Sequence, residues 1–194
     1  DIKSFLSKAG IKVTILDESE KFLHAIRGVE DPEQKRKIIG KTFIECFLTY
    51  AKKCGPFVYL AQGTLCSDVI ESAGDSKHAT LIKSHHNVGG LPDILGIDLI
   101  EPLKRLFKDQ VRQLARALDL PEQVVNRHPF PGPGLAVRIP GCVTKEKIKI
   151  LQEADAIFID ELKKASYYDK IWQAGVVLLP VKSVGVMGDK RTYQ

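Results

Sequence analysis

The sequence predicts an α/β fold: a doubly wound parallel sheet, followed by a smaller α+β region. Two observations carry this. Up to residue 120, short β-branched or apolar runs alternate with helical periodicities, the rhythm of a parallel sheet covered by helices. Past Pro121 that rhythm breaks into a Pro-Gly loop, one long helix and short terminal strands. Composition agrees, since a chain of 194 residues, 44% hydrophobic and 27% charged, can bury one sizeable core or two small ones. We therefore expect a first domain over residues 1–120 and a second over 121–194.

The elements follow in order. Residues 2–9 read as a helix already under way, with no signal-peptide pattern at Asp1-Ile2-Lys3-Ser4, so upstream sequence is expected. Ile11–Leu16 alternates as a strand. Asp31, Pro32 and Gln34 stand as N-cap, N1 and N3 of a helix. Ile39, Phe43, Phe47 and Ala51 continue it at helical spacing, and Cys54-Gly55-Pro56 stops it. Phe57–Ala61 reads as a buried strand, residues 97–100 as a second, and Leu106–Leu118 as an amphipathic helix. In the second region a strand is expected over Leu135–Ile139, a helix from Thr144 to Ala165, and strands at Val176–Leu179 and Ser183–Val186. Trp172, Tyr167 and Tyr168 are expected to pack a core or an interface.

Charge and cysteines narrow the function classes. The net charge of +5 and pI near 9.0 suit nucleotide phosphates, but the excess is too diffuse for a nucleic-acid groove. Cys46, Cys54, Cys66 and Cys142 lack metal-site spacing, so a reducing cytoplasm is the expected location. No apolar run reaches the length of a membrane span.

Three places carry candidate chemistry. The first is Arg127-His128-Pro129-Phe130-Pro131-Gly132-Pro133-Gly134-Leu135. Proline locks φ and removes donors, while glycine opens φ above zero, so the run forms a shaped, non-repetitive loop. It is either a connector or, with Phe130 and Leu135 anchoring it, a cradle for an anionic ligand. The second is Gln62-Gly63-Thr64, past the carboxyl end of strand 57–61, where doubly wound sheets bind ligands. Asp68 and Glu71 follow three apart, sharing a helix face; spacing alone favours a solvated face over a magnesium site. The third is Lys83-Ser84-His85-His86-Asn87, flanked by small residues, which reads as a lid or an exposed loop. Lys35 and Lys37 read as a solvated helix face.

Four blocks, in order, resemble the GMP synthetase family: Leu60–Thr64 with Asp68–Ala73, Ile82–Pro92, Arg127–Leu135 and Leu179–Asp189. The resemblance implies an ATP-pyrophosphatase (adenine nucleotide alpha hydrolase-like) domain and a dimerisation domain. It implies a ligase that adenylylates xanthosine monophosphate (XMP) with ATP and Mg²⁺, then admits ammonia from a glutaminase domain to give GMP. Residue by residue, it implies Lys83, His85 and His86 as catalytic, with Gln62, Gly63, Ser84 and Asn87 on ATP or the lid. Asp68 and Glu71 would hold metal. Arg36, His128, Phe130, Pro131, Gly132, Pro133, Gly134 and Met187 would face XMP. Partners implied are a homodimer and no nucleic acid or membrane.

This chain also departs from the family. Gly74–Ile82 is short for a lid, and Met187 stands where other members carry Gln. The family's phosphate loop S-G-G-x-D-S, its glutaminase motif and its K-P-P-x-x-x-x-W-E ending do not occur in these residues. The stretch is thus expected to be the later synthetase half and the start of the dimerisation domain, cut at both ends. Rival readings are another ATP pyrophosphatase, such as an NAD synthetase or a tRNA-thiolating enzyme, or a non-catalytic nucleotide-binding or dimerisation module. The Pro-Gly loop separates the first rival.

Overall fold

The computed structural model describes residues 5–7, 10–74, 97–130, 132–187 and 190–193. The chain forms two compact units. Unit 1 comprises Asp1–Ser19 and Gly40–His128; unit 2 comprises Glu20–Ile39 and Pro129–Gln194.

Helix α1 spans Ser19–Ala25 and α2 spans Pro32–Cys54. The expected start of α2 is present: the Asp31 carboxylate accepts from the Gln34 amide at 2.7 Å. That satisfies one of the donors every helix leaves orphaned at its first turn. The helix stops at Cys54, and Gly55 follows at φ 102°.

Burial along α2 follows the apolar line Ile39, Phe43, Phe47 and Ala51 only in part. Phe43 is 53% exposed, whereas Lys35, Thr42 and Cys46 are buried. Spacings of seven and four put those three on one helix face. Of the apolar positions, Ala51 is buried and Ile39 packs on the core, so the buried arc keeps part of the apolar line and adds Lys35, Thr42 and Cys46.

In unit 1, β1 (Tyr59–Ala61) pairs in parallel with β2 (Asp98–Ile100), with Leu60 opposite Leu99. Between them runs α3 (Cys66–Gly74). The chain is therefore mixed α/β with a parallel sheet. Phe57, Val58 and Tyr59 were expected to be buried, yet each is about half exposed or more. Two three-residue strands present too little face to be covered on both sides. Ile11–Leu16 was expected as a strand, but it has no ladder and runs as irregular, exposed chain. β-branched alternation supplies propensity only; a strand also needs a partner's hydrogen bonds. Helix α4 (Lys108–Ala117) opens with the Phe107 amide donating to Gln110 Oε1 at 2.9 Å. The short helix α5 (Glu122–Val125) is tied to it by Arg116, which meets Glu122 at 2.8 Å.

Unit 2 has one apolar cluster. Ile26, Ala136, Ile139, Val143 and Leu151 are buried together, with Leu135, Ile148 and Val176 packed around them. Its long helix α6 (Lys145–Lys164) has Thr144 as N-cap, accepting from the Lys147 amide, and Ala165 as C-cap. Both ends fall where the sequence put them.

Leu135–Ile139 is not the expected strand. Gly134–Arg138 form a 3₁₀ turn. Pro133 at φ −70°, ψ −12° starts it in the helical region, and Gly134 at φ 40° continues where a side chain would be strained. Val176–Leu179 likewise forms no ladder; the Leu178 amide instead donates to the Arg138 carbonyl at 2.9 Å. The expected terminal strand is present as β3 (Val184–Met187), antiparallel to β4 (Lys190–Tyr193). Trp172 and Tyr167 are not core residues, being 63% and 54% exposed. Lys170 Nζ sits 5.2 Å from the Tyr167 ring centroid, and an exposed ring on a lysine is a stable alternative to burial.

Candidate functional site

The carboxyl ends of β1 and β2 make one candidate site, within unit 1. Parallel pairing brings the residues after each strand to the same edge, and the Gln62 amide donates to the Ile100 carbonyl at 2.9 Å. Two residues on, Thr64 is 3% exposed and its hydroxyl donates to Glu101 Oε1 at 2.6 Å. A charged acceptor makes that bond short and strong. The Leu65 amide then donates to Asp68 Oδ2 at 2.8 Å. This is the reciprocal half of a capping box, an N3 carboxylate holding the N-cap amide. The Cys66 amide donates to the Leu106 carbonyl, so both flanks of the Gln62–Thr64 turn are fixed.

Gln62, Gly63 and Asp68, three of the residues singled out in the sequence, thus share one sheet edge with Thr64 and Glu101. Neither of the latter was assigned a role from sequence. Thr64 lies inside a motif block and could have been found there. Glu101 is 37 residues away and only strand pairing brings it in. For a hard cation the donor chemistry is suitable, but Asp68 is engaged in the cap. No group of three His, Cys, Asp or Glu occurs among the described residues. Asp68 and Glu71 share α3 as expected, although the Glu71 side chain lies outside the described residues. Lys83, Ser84, His85, His86 and Asn87 lie outside them too.

The second candidate site is in unit 2, around the Pro-Gly loop. Phe130 stacks on Arg138, whose guanidinium carbon is 4.3 Å from the ring centroid. Arg138 Nη1 donates to Asp155 Oδ1 at 2.6 Å and to the Val176 carbonyl at 3.3 Å. Asp155 Oδ1 also accepts from the Val176 amide at 2.9 Å. Burial pushes the Asp155 carboxyl up, but the Arg138 and Val176 hydrogen bonds and the Arg138 charge outweigh it, leaving the group below its ordinary value. Gly175 permits this closeness: a Cβ there would lie 3.0 Å from Arg138 Nη1 and 3.1 Å from Phe130. Leu135 packs on the apolar cluster. Leu135 thus anchors the loop to the core as the sequence suggested, whereas Phe130, 37% exposed, is held by Arg138 instead. Beside it, Leu135, Arg138, Gln152, Asp155 and Lys163 line an open groove.

Lys35 overturns one expectation outright. It was read as part of a solvated face, yet it is 1% exposed, and its ammonium donates to the carbonyls of Ala136, Ile139 and Gly141. Burial pushes its pKa below the ordinary 10.5. Lys37, by contrast, is exposed as expected. Arg36 is part-exposed and pairs with Glu33 at 2.9 Å, one helical turn away. His128 is buried, and Met187 ends β3. Pro131 lies outside the described residues, whereas Gly132, Pro133 and Gly134 form the turn that leads into the 3₁₀ segment.

The chain is 56% identical over 193 residues to GMP synthase (glutamine-hydrolyzing) of Bartonella bacilliformis, covering 100% of this chain and 37% of that protein. It is 56% identical over 194 residues to the Aquifex aeolicus enzyme of the same name, covering 100% of this chain and 38% of the relative. Over its whole length the chain is similar to GMP synthases. The Ehrlichia chaffeensis GMP synthase matches at 58% over 192 residues, covering 98% of this chain and 36% of that protein. The chain thus spans less than two-fifths of these GMP synthases. A family model described as GMP synthase C terminal domain matches residues 160–194, and one described as NAD synthase matches 95–166. The NAD synthase match points to an ATP-pyrophosphatase type of fold. No helix among the described residues is long and apolar enough to cross a membrane.

Proposed function

We propose that the protein to which this chain belongs is a ligase that aminates XMP to GMP. ATP adenylylates the C2 oxygen of the xanthine ring and pyrophosphate leaves. Ammonia, released from glutamine by a glutaminase domain, then displaces AMP. The observation that carries this reading is an overall identity of 56% to GMP synthases over a match that covers 100% of the chain.

The residues would work chiefly by positioning and by charge neutralisation. The Gln62–Gly63 turn would receive ATP at the sheet edge, with Lys83, Ser84, His85, His86 and Asn87 closing over it. Lys83 would offset phosphate charge. Asp68 and Glu71 would hold Mg²⁺, which supplies charge to the phosphate oxygens. Arg36 would grip the 5′-phosphate of XMP, since its planar fork suits phosphate oxygens. To do so it exchanges Glu33 for the ligand, a small loss for an exposed pair. His128, Phe130, Pro131, Gly132, Pro133, Gly134 and Met187 would shape the rest of the acceptor pocket.

The finer architecture belongs to the same proposal. Residues 1–120 would be part of a doubly wound synthetase domain, and 121–194 part of a domain through which the enzyme forms a homodimer in the cytoplasm. The antiparallel β3–β4 pair and the GMP synthase C terminal domain match at 160–194 support the second assignment.

The test uses full-length protein, with XMP, ATP and either glutamine or ammonium. GMP, AMP and pyrophosphate are expected in equal amounts. Formation of AMP and pyrophosphate with nicotinate adenine dinucleotide but not with XMP would overturn the reading in favour of an NAD synthase.

A further inference from the structure

The burial of Lys35 has a specific geometry. Its Nζ lies 3.3 Å from the Ala136 carbonyl, 2.7 Å from that of Ile139 and 2.5 Å from that of Gly141. An ammonium has three donors, and all three are taken by main-chain oxygens. These oxygens belong to the end of the 3₁₀ turn and the residues just after it, where a helix leaves carbonyls without internal partners. A buried cation at that end also meets the favourable end of the turn's dipole. Because the acceptors are backbone atoms, the contact fixes the path of the chain rather than any one side chain.

What that path connects gives the contact its meaning. The turn begins at Gly134, the last glycine of the Pro-Gly loop. Lys35 itself sits in α2 immediately before Arg36. One side chain therefore joins the segment leaving the loop to the helical turn that carries the arginine. Arg138, within the turn, also holds the same loop by its contact with Phe130 and is itself paired with Asp155.

We propose that Lys35 is a positioning residue of the acceptor-nucleotide site, holding the exit of the Pro-Gly loop in register with Arg36. This rests on the reading above, in which those two elements bind XMP. Lys35 touches no substrate. Its effect passes through the spacing of the phosphate-binding arginine and the loop, so its loss weakens acceptor binding and leaves ATP binding alone.

The experiment compares wild-type full-length enzyme with Lys35→Met, which keeps the apolar stem and removes all three donors. Lys35→Arg keeps charge but presents a planar fork that cannot reproduce a three-carbonyl cradle. Thermal midpoints are measured first, and both KM values and kcat are then measured well below each variant's midpoint. The KM for XMP is expected to rise about ten- to a hundred-fold in Lys35→Met, the loss of one charge-assisted contact, with the KM for ATP within about twofold of wild type. If Lys35→Met does not fold, Lys35→Arg decides by the same criterion. Parallel rises in both KM values, no change in either, or failure of both variants to fold would each reduce Lys35 to a core strut. Wild-type enzyme that makes no GMP would instead overturn the proposed function itself.

Discussion

Unit 1 and unit 2 hold their candidate loops by different means. In unit 1 the hydrogen bonds that hold the Gln62–Thr64 turn include a backbone bond to Ile100, the Thr64 hydroxyl on Glu101 and the Leu65 amide on Asp68. Its neighbours Tyr59, Ile70 and Leu99 remain exposed. In unit 2 the Pro-Gly loop runs into a turn whose Ala136, with Ile139 just after it, lies inside the apolar cluster, and Lys35 donates to the carbonyls of both while Arg138 pairs with Asp155. A loop seated in a core should couple binding to stability. A loop at an uncovered sheet edge should lose function with little loss of fold.

The largest test of that contrast is Leu151→Ala. Leu151 is 0% exposed at the centre of the unit 2 cluster. Truncation should cost about 2–5 kcal/mol, read by urea unfolding, because the cavity adds to the lost transfer energy. A cost below that of an average surface substitution would mean unit 2 has no specific core.

Lys83→Ala should show the opposite pattern. We expect kcat to fall by about 2.7–4 kcal/mol in barrier terms, with the unfolding midpoint unchanged. An unaltered kcat would return the 83–87 block to an ordinary surface loop.

Asp155→Asn comes next, at about 1.5–3 kcal/mol, since it weakens a hydrogen bond to a charged donor. The Arg138 side chain is 13% exposed, so screening by water is limited. The pH sign follows from the lowered carboxyl. Its contribution is complete above the ordinary 3.8 and is lost as pH falls through the lower folded value. The stability gap between wild type and Asp155→Asn should therefore close below about pH 3.8; a gap that widened there would contradict the pairing.

Asp68→Ala should be the mildest for stability, about 0.5–1.5 kcal/mol for one capping hydrogen bond. If Asp68 also serves the metal, the magnesium concentration for half-maximal activity should rise in this variant. Should it stay constant while stability falls, Asp68 is only a cap.

How much was legible can be seen residue by residue. The Asp31–Gln34 start of α2, its stop at Cys54, and both ends of α6 at Thr144 and Ala165 were readable, because caps are local chemistry. The placement of Gln62 and Gly63 just past the carboxyl end of a strand was readable too, because strand and stop signals are local. The misses share a cause. Leu135–Ile139 and Val176–Leu179 have strand propensity, but a turn set by Pro133 and a bond to Arg138 claimed them. Lys35 looked like its neighbour Lys37, and charge alone argued for solvent.

The sequence by itself determined the segments that cap, stop and turn the chain, and the four motif blocks that tie it to GMP synthases. Both are written in residues adjacent along the chain. Tertiary structure alone decided that Thr42 and Cys46 are buried on α2 while Phe43 is exposed, that Glu101 meets Thr64 across a parallel pair, and that Arg138 and Asp155 grip Val176. It also decided that a lysine is taken from water. Burying an ammonium is tolerable only where carbonyls are waiting, and these stand 101 to 106 residues away in the chain. No local pattern reports a partner at that distance; only the folded backbone brings the charge and its acceptors together.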